Sequence, residues 1–460
     1  MWGCLEQEHR DRGKIRREIV TTLGGTGLMK RLGLLFVVFA AAMGIAAGAM
    51  AEDNGLPPGT VITHANWQQY RNYMTAGEIG MWEATNPTID VPPNAKVVIG
   101  PTKSYPLNSA YWDATEKYSK QVSLVKVDTG AYTIKGYVAG MPFPNLSPQD
   151  PEAGYKLMYD IYFQYYPAVK VQDHMQVLDV DKYGNLSFLH ALSIAYTIDH
   201  LTDPGYPSRI PGTIDGLYYS SLAEQLDPEQ IKYVTAVNFT WDDPTRFPEA
   251  YVFLPSIRRA IRLSSAARCA PFQGQDFAND DTTPVPLPPT WFDAHFLGVK
   301  KIMIYISDPS VANKVPDRAN YYPGGTSLFP KPEVLGPWQL RDVYVLQLQR
   351  LPQFMRGYCY SKRLMYLGKE NVGTMAWDDW DQNGKLWRVF VNILNPFKNG
   401  NGWYLNPWAH NNPDFQNWHQ SLLLPPAKGT DASWVNHQTP GEYVNYTRYA
   451  TPAGLQQIMQ

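Results

Sequence analysis

The 460-residue sequence carries little charge and no excess of basic residues. Asp, Glu, Lys and Arg make up 18% of the residues, against about 25% in an average globular chain. The formal net charge of −2 excludes the basic footprint of a nucleic-acid-binding protein. The 35 glycines and 38 prolines follow no period, which excludes a collagen-like chain and argues against extensive disorder. We therefore expect a folded chain without a nucleic-acid partner.

The sequence also lacks the short motifs of common catalytic and metal sites. It contains no G-x-S-x-G elbow, no P-loop, no G-x-G-x-x-G before a helix and no H-E-x-x-H. His410 and His419 are the best metal-binding pair, but loop positions explain them better. The acidic clusters 242–243, 276–281 and 378–381 are typical of solvated turns, and the second lacks the central glycine of a calcium loop. We predict no catalytic residue, no metal and no cofactor.

An export signal is the clearest feature near the start of the chain. Lys30 and Arg31 precede an apolar run over residues 32–47, and small residues form an A-x-A site at 49–51. The run is shorter than the roughly 20 residues that span a bilayer. We predict that residues 1–51 are an N-terminal extension and a signal peptide cleaved near Ala51, with Met29 as the true start. The product is then periplasmic and has no membrane span.

Only two cysteines, Cys269 and Cys359, follow the predicted cleavage site. In an oxidising compartment two thiols of a folded exported protein more often pair than stay free. We therefore predict a disulfide between them, and the alternative is two separately buried thiols.

Aromatic and apolar residues dominate the rest of the chain, with 30 Tyr and 14 Trp. Apolar residues alternate with polar ones over 387–393, which is typical of an antiparallel strand with one face on a core. The turn sequence at 381–384 predicts a tight hairpin just before that strand. Strands are also predicted over 177–180, 186–198, 233–241, 251–253, 299–306, 338–348 and 358–367.

Two further segments differ from this strand pattern. Within 151–167 the side chains of Tyr155, Met158, Tyr159 and Tyr162 recur at helical spacing, which predicts one amphipathic helix. After Asn395 the residues Trp403, Trp408, Trp418 and Trp434 follow no period, so we expect an irregular tail over 396–460 that packs on the sheet.

Five segments carry a resemblance to a known family. They are 111–118 (YWDATEKY), 136–144 (GYVAGMPFP), 252–259 (VFLPSIRR), 360–363 (YSKR) and 381–387 (DQNGKLW). In this order they resemble family 1329 of the domains of unknown function, often labelled outer membrane lipoprotein-sorting protein. The resemblance runs from about Pro57 to Val391, with Ser256 where the family pattern has glycine, and the tail departs from it.

The resemblance implies a β-rich α+β fold similar to that of the periplasmic carriers LolA and LolB. In that fold a strongly curved antiparallel sheet forms an open half-barrel, and helices and long loops cover its mouth. The resemblance also implies that residues 52–395 form a domain of the lipid-carrier type. It further implies traffic of lipids or hydrophobic solutes in the cell envelope, with an RND-type exporter or an outer-membrane component as a partner.

Our leading hypothesis is a non-enzymatic protein that binds or transfers a lipid or another hydrophobic amphiphile. Strand residues chosen for the cavity wall are Tyr344, Leu346, Tyr360, Met365, Trp387 and Val389. Basic residues chosen for contact with a head group or a partner are Arg258, Arg259, Lys362 and Arg363. The alternatives are a carbohydrate or cell-surface binding module that uses the Trp-rich tail and, third, a periplasmic hydrolase.

Overall fold

The computed structural model describes residues 55–264, 269–271, 274–281, 285, 288–307, 337–424 and 433–459. The predicted signal segment lies outside these ranges. The α-helices are α1 (Ala76–Glu83), α2 (Ser109–Tyr118), α3 (Ala153–Tyr162), α4 (Tyr446–Tyr449) and α5 (Pro452–Leu455). Short 3₁₀ helices are Trp67–Tyr73, Ser119–Gln121, Asn279–Asp281, Pro289–Trp291, Pro352–Phe354, Asn436–Gln438 and Gly441–Tyr443. No helix in these ranges is both long and apolar enough to cross a membrane.

Strands account for most of the regular structure. The first ten are β1 (Val61–Ile62), β2 (Val97–Val98), β3 (Ser123–Lys126), β4 (Tyr132–Lys135), β5 (Val169–Val180), β6 (Leu186–Thr197), β7 (Leu217–Asp227), β8 (Thr235–Trp241), β9 (Glu249–Leu254) and β10 (Arg259–Arg262). The others are β11 (Phe292–Ile306), β12 (Trp338–Arg350), β13 (Lys362–Gly368), β14 (Thr374–Trp380), β15 (Leu386–Asn399), β16 (Gly402–Asp414), β17 (His419–Leu424) and β18 (Ser433–Val435).

Fourteen of the described strands form one large sheet, in the order β10-β9-β8-β7-β6-β5-β17-β16-β15-β11-β12-β13-β14 with β18 beside β5. Neighbouring strands are antiparallel, apart from a two-residue parallel contact between β11 and β15. The sheet curves strongly, since β15 also pairs with β14, and it does not close as a barrel. The predicted fold class, a curved antiparallel sheet with helices in a β-rich α+β protein, is confirmed.

Helix α3 forms where the sequence predicted one and covers part of the sheet. Its buried side chains Leu157, Met158 and Ile161 belong to the main hydrophobic core. A Cβ on Gly154 would meet the backbone of β11, so this glycine permits the close packing of helix on strand. The Tyr162 hydroxyl donates to the carbonyl of Trp241 at 2.9 Å, which ties the helix to β8.

Helix α1 covers the opposite face of the sheet. Its N-terminus has a capping box in which Thr75 and Glu78 satisfy each other's backbone amides. The buried carboxylate of Asp378 on β14 accepts from the amides of Ala76 at 2.9 Å and Gly77 at 3.0 Å. The aspartate therefore fixes the helix on the sheet through two amides that the helix itself leaves unpaired.

The expectation of an irregular tail is wrong for residues 402–424. These residues form β16 and β17, which lie in the middle of the sheet between β15 and β5. The predicted boundary between 395 and 396 falls inside β15. Strand β16 is covered on both faces, and it buries Asn411 and Asn412. Its sequence therefore lacks the alternation that reveals a strand with one wet face.

The predicted disulfide is confirmed. Cys269 and Cys359 are bonded, and their Cα atoms lie 5.7 Å apart. The bond joins the segment 269–271 to the connection between β12 and β13.

Candidate ligand-binding cavity

A cavity of about 250 Å³ lies against one face of the large sheet. Strands β5–β8 and β14–β17 contribute to its wall, together with residues from the connecting segments. We call the face that lines the cavity the inner face of the sheet, and the opposite face the outer face.

Small side chains create the space on one side of the cavity. Two rows of paired residues cross strands β5 to β8 on the inner face, Lys170–Ala195–Ser221–Asn238 and Gln172–Ser193–Ala223–Ala236. Large residues of the same strands, such as Leu192, Ile194 and Tyr196 of β6, pack into a separate core on the outer face. Because small and large residues alternate along β6, the small side chains leave space on the inner face and the large side chains pack the core on the outer face.

A β-bulge keeps the inner face of β5 continuous. The register shifts between Gln172 and Met175, where His174 has a φ of 50°. The extra residue puts Lys170, Gln172, Met175 and Val177 into the same wall despite their uneven spacing. This wall changes along the strand from a polar end at Lys170 to an apolar end at Val177.

Tyrosines from several elements close another part of the wall. The rings of Tyr166 and Tyr219 stack with centroids 4.8 Å apart, and Tyr165 meets Tyr404 edge-on at 6.1 Å. The Tyr165 hydroxyl donates to the buried carboxylate of Asp203, which also accepts from Asn399 at 3.1 Å and Asn436 at 2.8 Å. This satisfied polar network fixes the position of the tyrosine.

Aromatic rings and one histidine line the remaining side. Trp377 of β14 and Phe390 of β15 stack with centroids 3.8 Å apart. His410 of β16 packs on Phe390 at 4.2 Å and pairs in register with Asn392 and Leu423, which also line the cavity.

Two charged residues are part of the cavity wall, and only one of them is balanced. Asp281 accepts from the Arg363 guanidinium at 2.6 Å. Lys170 has no hydrogen bond or ion pair through its amine within the described residues, and burial lowers its pKa to about 8. Burial, followed by the charge of Lys170, lowers the pKa of His410 to about 3, so its imidazole is neutral. The unbalanced charge of the cavity is therefore positive.

The six residues predicted for the cavity wall lie elsewhere. Leu346 and Met365 are in one cross-strand row with Trp377 and Phe390, but the main core fills the sheet at their positions. Tyr360 is buried in the same core, and Tyr344 and Trp387 pack at its margin. Val389 packs under α1 on the outer face.

The pattern on β15 explains the difference between the predicted and the observed wall. Phe390 and Asn392 line the cavity, whereas Val389 and Val391 belong to the core beneath α1. Both faces of this strand are buried, so period-two alternation identifies two faces but not the one that meets a cavity. The signal that sequence reasoning missed is the row of Ala and Ser on β6 to β8.

The predicted basic contacts separate into two groups. Arg258 is exposed in the connection between β9 and β10, and Arg259 is exposed at the first position of β10. Lys362 lies over the ring of Trp380 at 4.3 Å. Arg363 is buried instead, and its guanidinium donates twice to Asp379 at 2.8 Å and once to Asp281.

The acidic clusters at 276–281 and 378–379 do not form the solvated turns that we expected. Asp276, Asp280, Asp281, Asp378 and Asp379 are all buried. Asp281 and Asp379 are paired with Arg363, which satisfies their charges inside the protein. Within the described residues, no group of three or more His, Cys, Asp or Glu is arranged to hold a metal ion.

A curved antiparallel sheet around a largely apolar cavity defines the class of this protein. The family model described as "Protein of unknown function (DUF1329)" matches residues 61–443, and the chain belongs to this family. No functionally curated protein matches the sequence.

Three solved structures are similar to this chain. A putative outer membrane lipoprotein-sorting protein domain from Vibrio parahaemolyticus shares 13% identity over 67% of this chain and all of its own, with a TM-score of 0.43. A DUF1329 family protein from Desulfovibrio piger shares 12% over 65% of this chain and all of its own, with a TM-score of 0.44. A LolA superfamily protein from Nitrosomonas europaea shares 12% over 64% of this chain and 97% of its own, with a TM-score of 0.34.

Proposed function

We propose that this protein binds a lipid or another hydrophobic amphiphile in its cavity and carries it in cell-envelope traffic. The observation that supports the proposal is the 250 Å³ cavity, whose wall combines aromatic rings with small side chains. Small-molecule pockets commonly have about 300–1,000 Å³ and are mostly apolar with a few placed polar groups. Burial of an apolar chain in such a wall contributes about 25 cal/mol per Å². The volume favours a ligand with one hydrocarbon chain over a lipid with several.

The proposed location is the periplasm. Its support is the predicted export signal at 30–51 and the disulfide between Cys269 and Cys359, which persists in an oxidising compartment. An RND-type exporter or an outer-membrane component as donor or acceptor belongs to the same proposal.

Native mass spectrometry of the purified chain, followed by solvent extraction, tests the proposal directly. We expect a bound species that is lost on extraction, and displacement of a fluorescent hydrophobic probe by single-chain amphiphiles. Ser193→Phe, which fills the cavity from β6, should weaken probe binding by about tenfold or more. Ser187→Phe places the same ring on an exposed position of the same strand and should leave binding unchanged. Equal binding by the two variants would contradict the proposal.

The carbohydrate-binding alternative has less support from the described tryptophans. Trp403 packs edge-on against Tyr105 at 5.9 Å, and Trp434 stacks on Tyr443 at 5.7 Å. Trp418 is half-buried, and the side chain of Trp408 lies outside the described parts. A sugar-binding platform needs a broad exposed ring face, so we rank this function, and a hydrolase, below the carrier.

A further inference from the structure

Lys170 places a single cationic side chain in the wall of the cavity. It lies on β5 between its partners Ala195 on β6 and Val435 on β18. Neither neighbour offers a polar side chain, and the amine has no hydrogen bond or ion pair within the described residues. Lys170 is partly buried, and an ammonium group in such a position gives up part of its hydration without gaining an ion pair in return. The position therefore needs an explanation.

The other charged and titratable residues of the wall do not supply an anion. Asp281 is engaged by Arg363, and His410 is a neutral ring whose only possible charge would repel Lys170. Burial raises the pKa of the four tyrosines in the wall, so they stay neutral as well; these are Tyr165, Tyr166, Tyr219 and Tyr404.

Further polar groups in the wall are unpaired in the described part of the chain. The Tyr404 hydroxyl, the side-chain oxygen of Gln225 and the side-chain oxygen of Asn392 are buried without a hydrogen-bond partner. Buried polar groups in native proteins are nearly always paired, and exceptions concentrate where a ligand or water completes the site. All three atoms belong to residues of the wall, so the wall holds unpaired polar groups besides the Lys170 amine.

The cavity wall also has an apolar part, which a site for an amphiphile requires. Along β5 the inner face passes from Lys170 and Gln172 to Met175 and Val177, within one continuous cavity. Across the sheet the apolar end is continued by Leu423, which pairs with Val177. A ligand with a polar head group at the Lys170 end and a hydrocarbon chain at the Val177 end would match both parts of the wall.

We propose that Lys170 binds the anionic head group of a single-chain amphiphile held in the cavity, so that the ligand class is a carboxylate or phosphate monoester with one alkyl chain. This assignment rests on the proposed carrier function and specifies its ligand. The anionic head group supplies the counter-charge that the protein does not provide for the ammonium group. The alkyl chain of the ligand lies against the apolar wall.

Binding measurements with three matched probes test the assignment, namely decanoate, decyl phosphate and decanol. We expect the wild-type chain to bind each anion at least about tenfold more tightly than the alcohol. Lys170→Met should remove most of this preference while changing decanol affinity by less than about twofold, and Lys170→Arg should retain it. Lys182→Met, which removes an exposed lysine from the turn after β5, serves as the control and should behave as wild type. The stronger of the two anions identifies carboxylate or phosphate as the preferred head group.

Proton uptake gives a second readout that a merely structural role of Lys170 would not produce. Burial lowers the pKa of Lys170 to about 8, so near this pH a fraction of the amines is neutral in the empty protein, and an anion should restore the proton. Calorimetry of decanoate binding near pH 8, in two buffers with different ionisation enthalpies, should then show net proton uptake in wild type and none in Lys170→Met.

The possible outcomes separate this assignment from the carrier function. If decanoate and decanol bind equally well to wild type, or if Lys170→Met weakens both to the same extent, the head-group assignment is overturned and the carrier function stands. If no probe binds, the carrier function fails and the assignment fails with it.

Discussion

Lys170 lowers the free energy of unfolding of the empty protein, and this destabilisation can be measured without any ligand. Its pKa falls from 10.5 to about 8 on folding, because burial disfavours the ammonium form. Below pH 8 both the folded and the unfolded chain hold the proton, so the destabilisation caused by the ammonium group is fully present. Between pH 8 and 10.5 the unfolded chain binds the proton and the folded chain does not, so the free energy of unfolding rises with pH.

Lys170→Met should therefore stabilise the empty protein at pH 7 by roughly 1–3 kcal/mol. The gain should shrink as the pH rises through 8 towards 10.5. Urea unfolding at pH 7 and pH 9.5 measures both effects, with Lys182→Met as the exposed control. A lower stability of Lys170→Met at pH 7 would show that the amine has a stabilising partner in the folded protein.

At the scale of elements, a buried ion network holds the segment 274–281 against strands β13 and β14. Arg363 of β13 binds Asp379 of β14 and Asp281 of the segment. The Tyr360 hydroxyl donates to the second oxygen of Asp281 at 2.9 Å and accepts from Arg388 at 3.1 Å. The segment contributes Gln275, Phe277 and Asp281 to the cavity wall. The network thus fixes one side of the cavity.

Arg363→Met should lower the free energy of unfolding by about 3–5 kcal/mol, because it leaves buried Asp379 without its cation and leaves Asp281 with only the more distant Arg388 at 3.9 Å. Its neighbour Lys362 points to the other face of β13 and lies over Trp380, so Lys362→Met should cost less than about 1 kcal/mol. Urea unfolding of the two variants gives the comparison. Similar losses in both would mean that the network does not depend on the guanidinium.

The same elements show how far the sequence predicts this fold. The hairpin between β14 and β15 was predictable, since the turn at 381–384 precedes an alternating strand. Strand β16 was not, because its asparagines and prolines resemble a loop although the strand is buried. The sequence predicts a head-group or partner contact for Arg363 and a solvated turn for Asp379, because it does not reveal that opposite charges on paired strands meet inside the protein.

For the whole molecule, the disulfide ties the connection between β12 and β13 to a segment close in sequence to the one that carries Asp281. It closes a loop of 90 residues that contains β11, β12 and the segment 274–281. The amide of Cys359 also donates to the sulfur of Cys269 at 3.1 Å, so the two chain segments are in direct contact. Cross-linking a loop of this length restricts the unfolded chain, and typical disulfides contribute about 2–4 kcal/mol.

Replacing both cysteines, as Cys269→Ser with Cys359→Ser, should lower the free energy of unfolding by about 2–4 kcal/mol. The cavity should survive the change under native conditions, because Asp281 keeps its bonds to Arg363 and Tyr360. We therefore expect decanol affinity within about threefold of wild type, while the urea midpoint falls. Adding Arg363→Met to this variant removes a second attachment of the segment and leaves the hydrogen bonds of Asp281 to Tyr360 and of Asp276 to Ser421. The triple variant should lose binding more than either parent, because the segment that carries Gln275 and Phe277 is then held in the cavity wall by fewer contacts. Additive losses would show instead that the two attachments act on separate parts of the molecule.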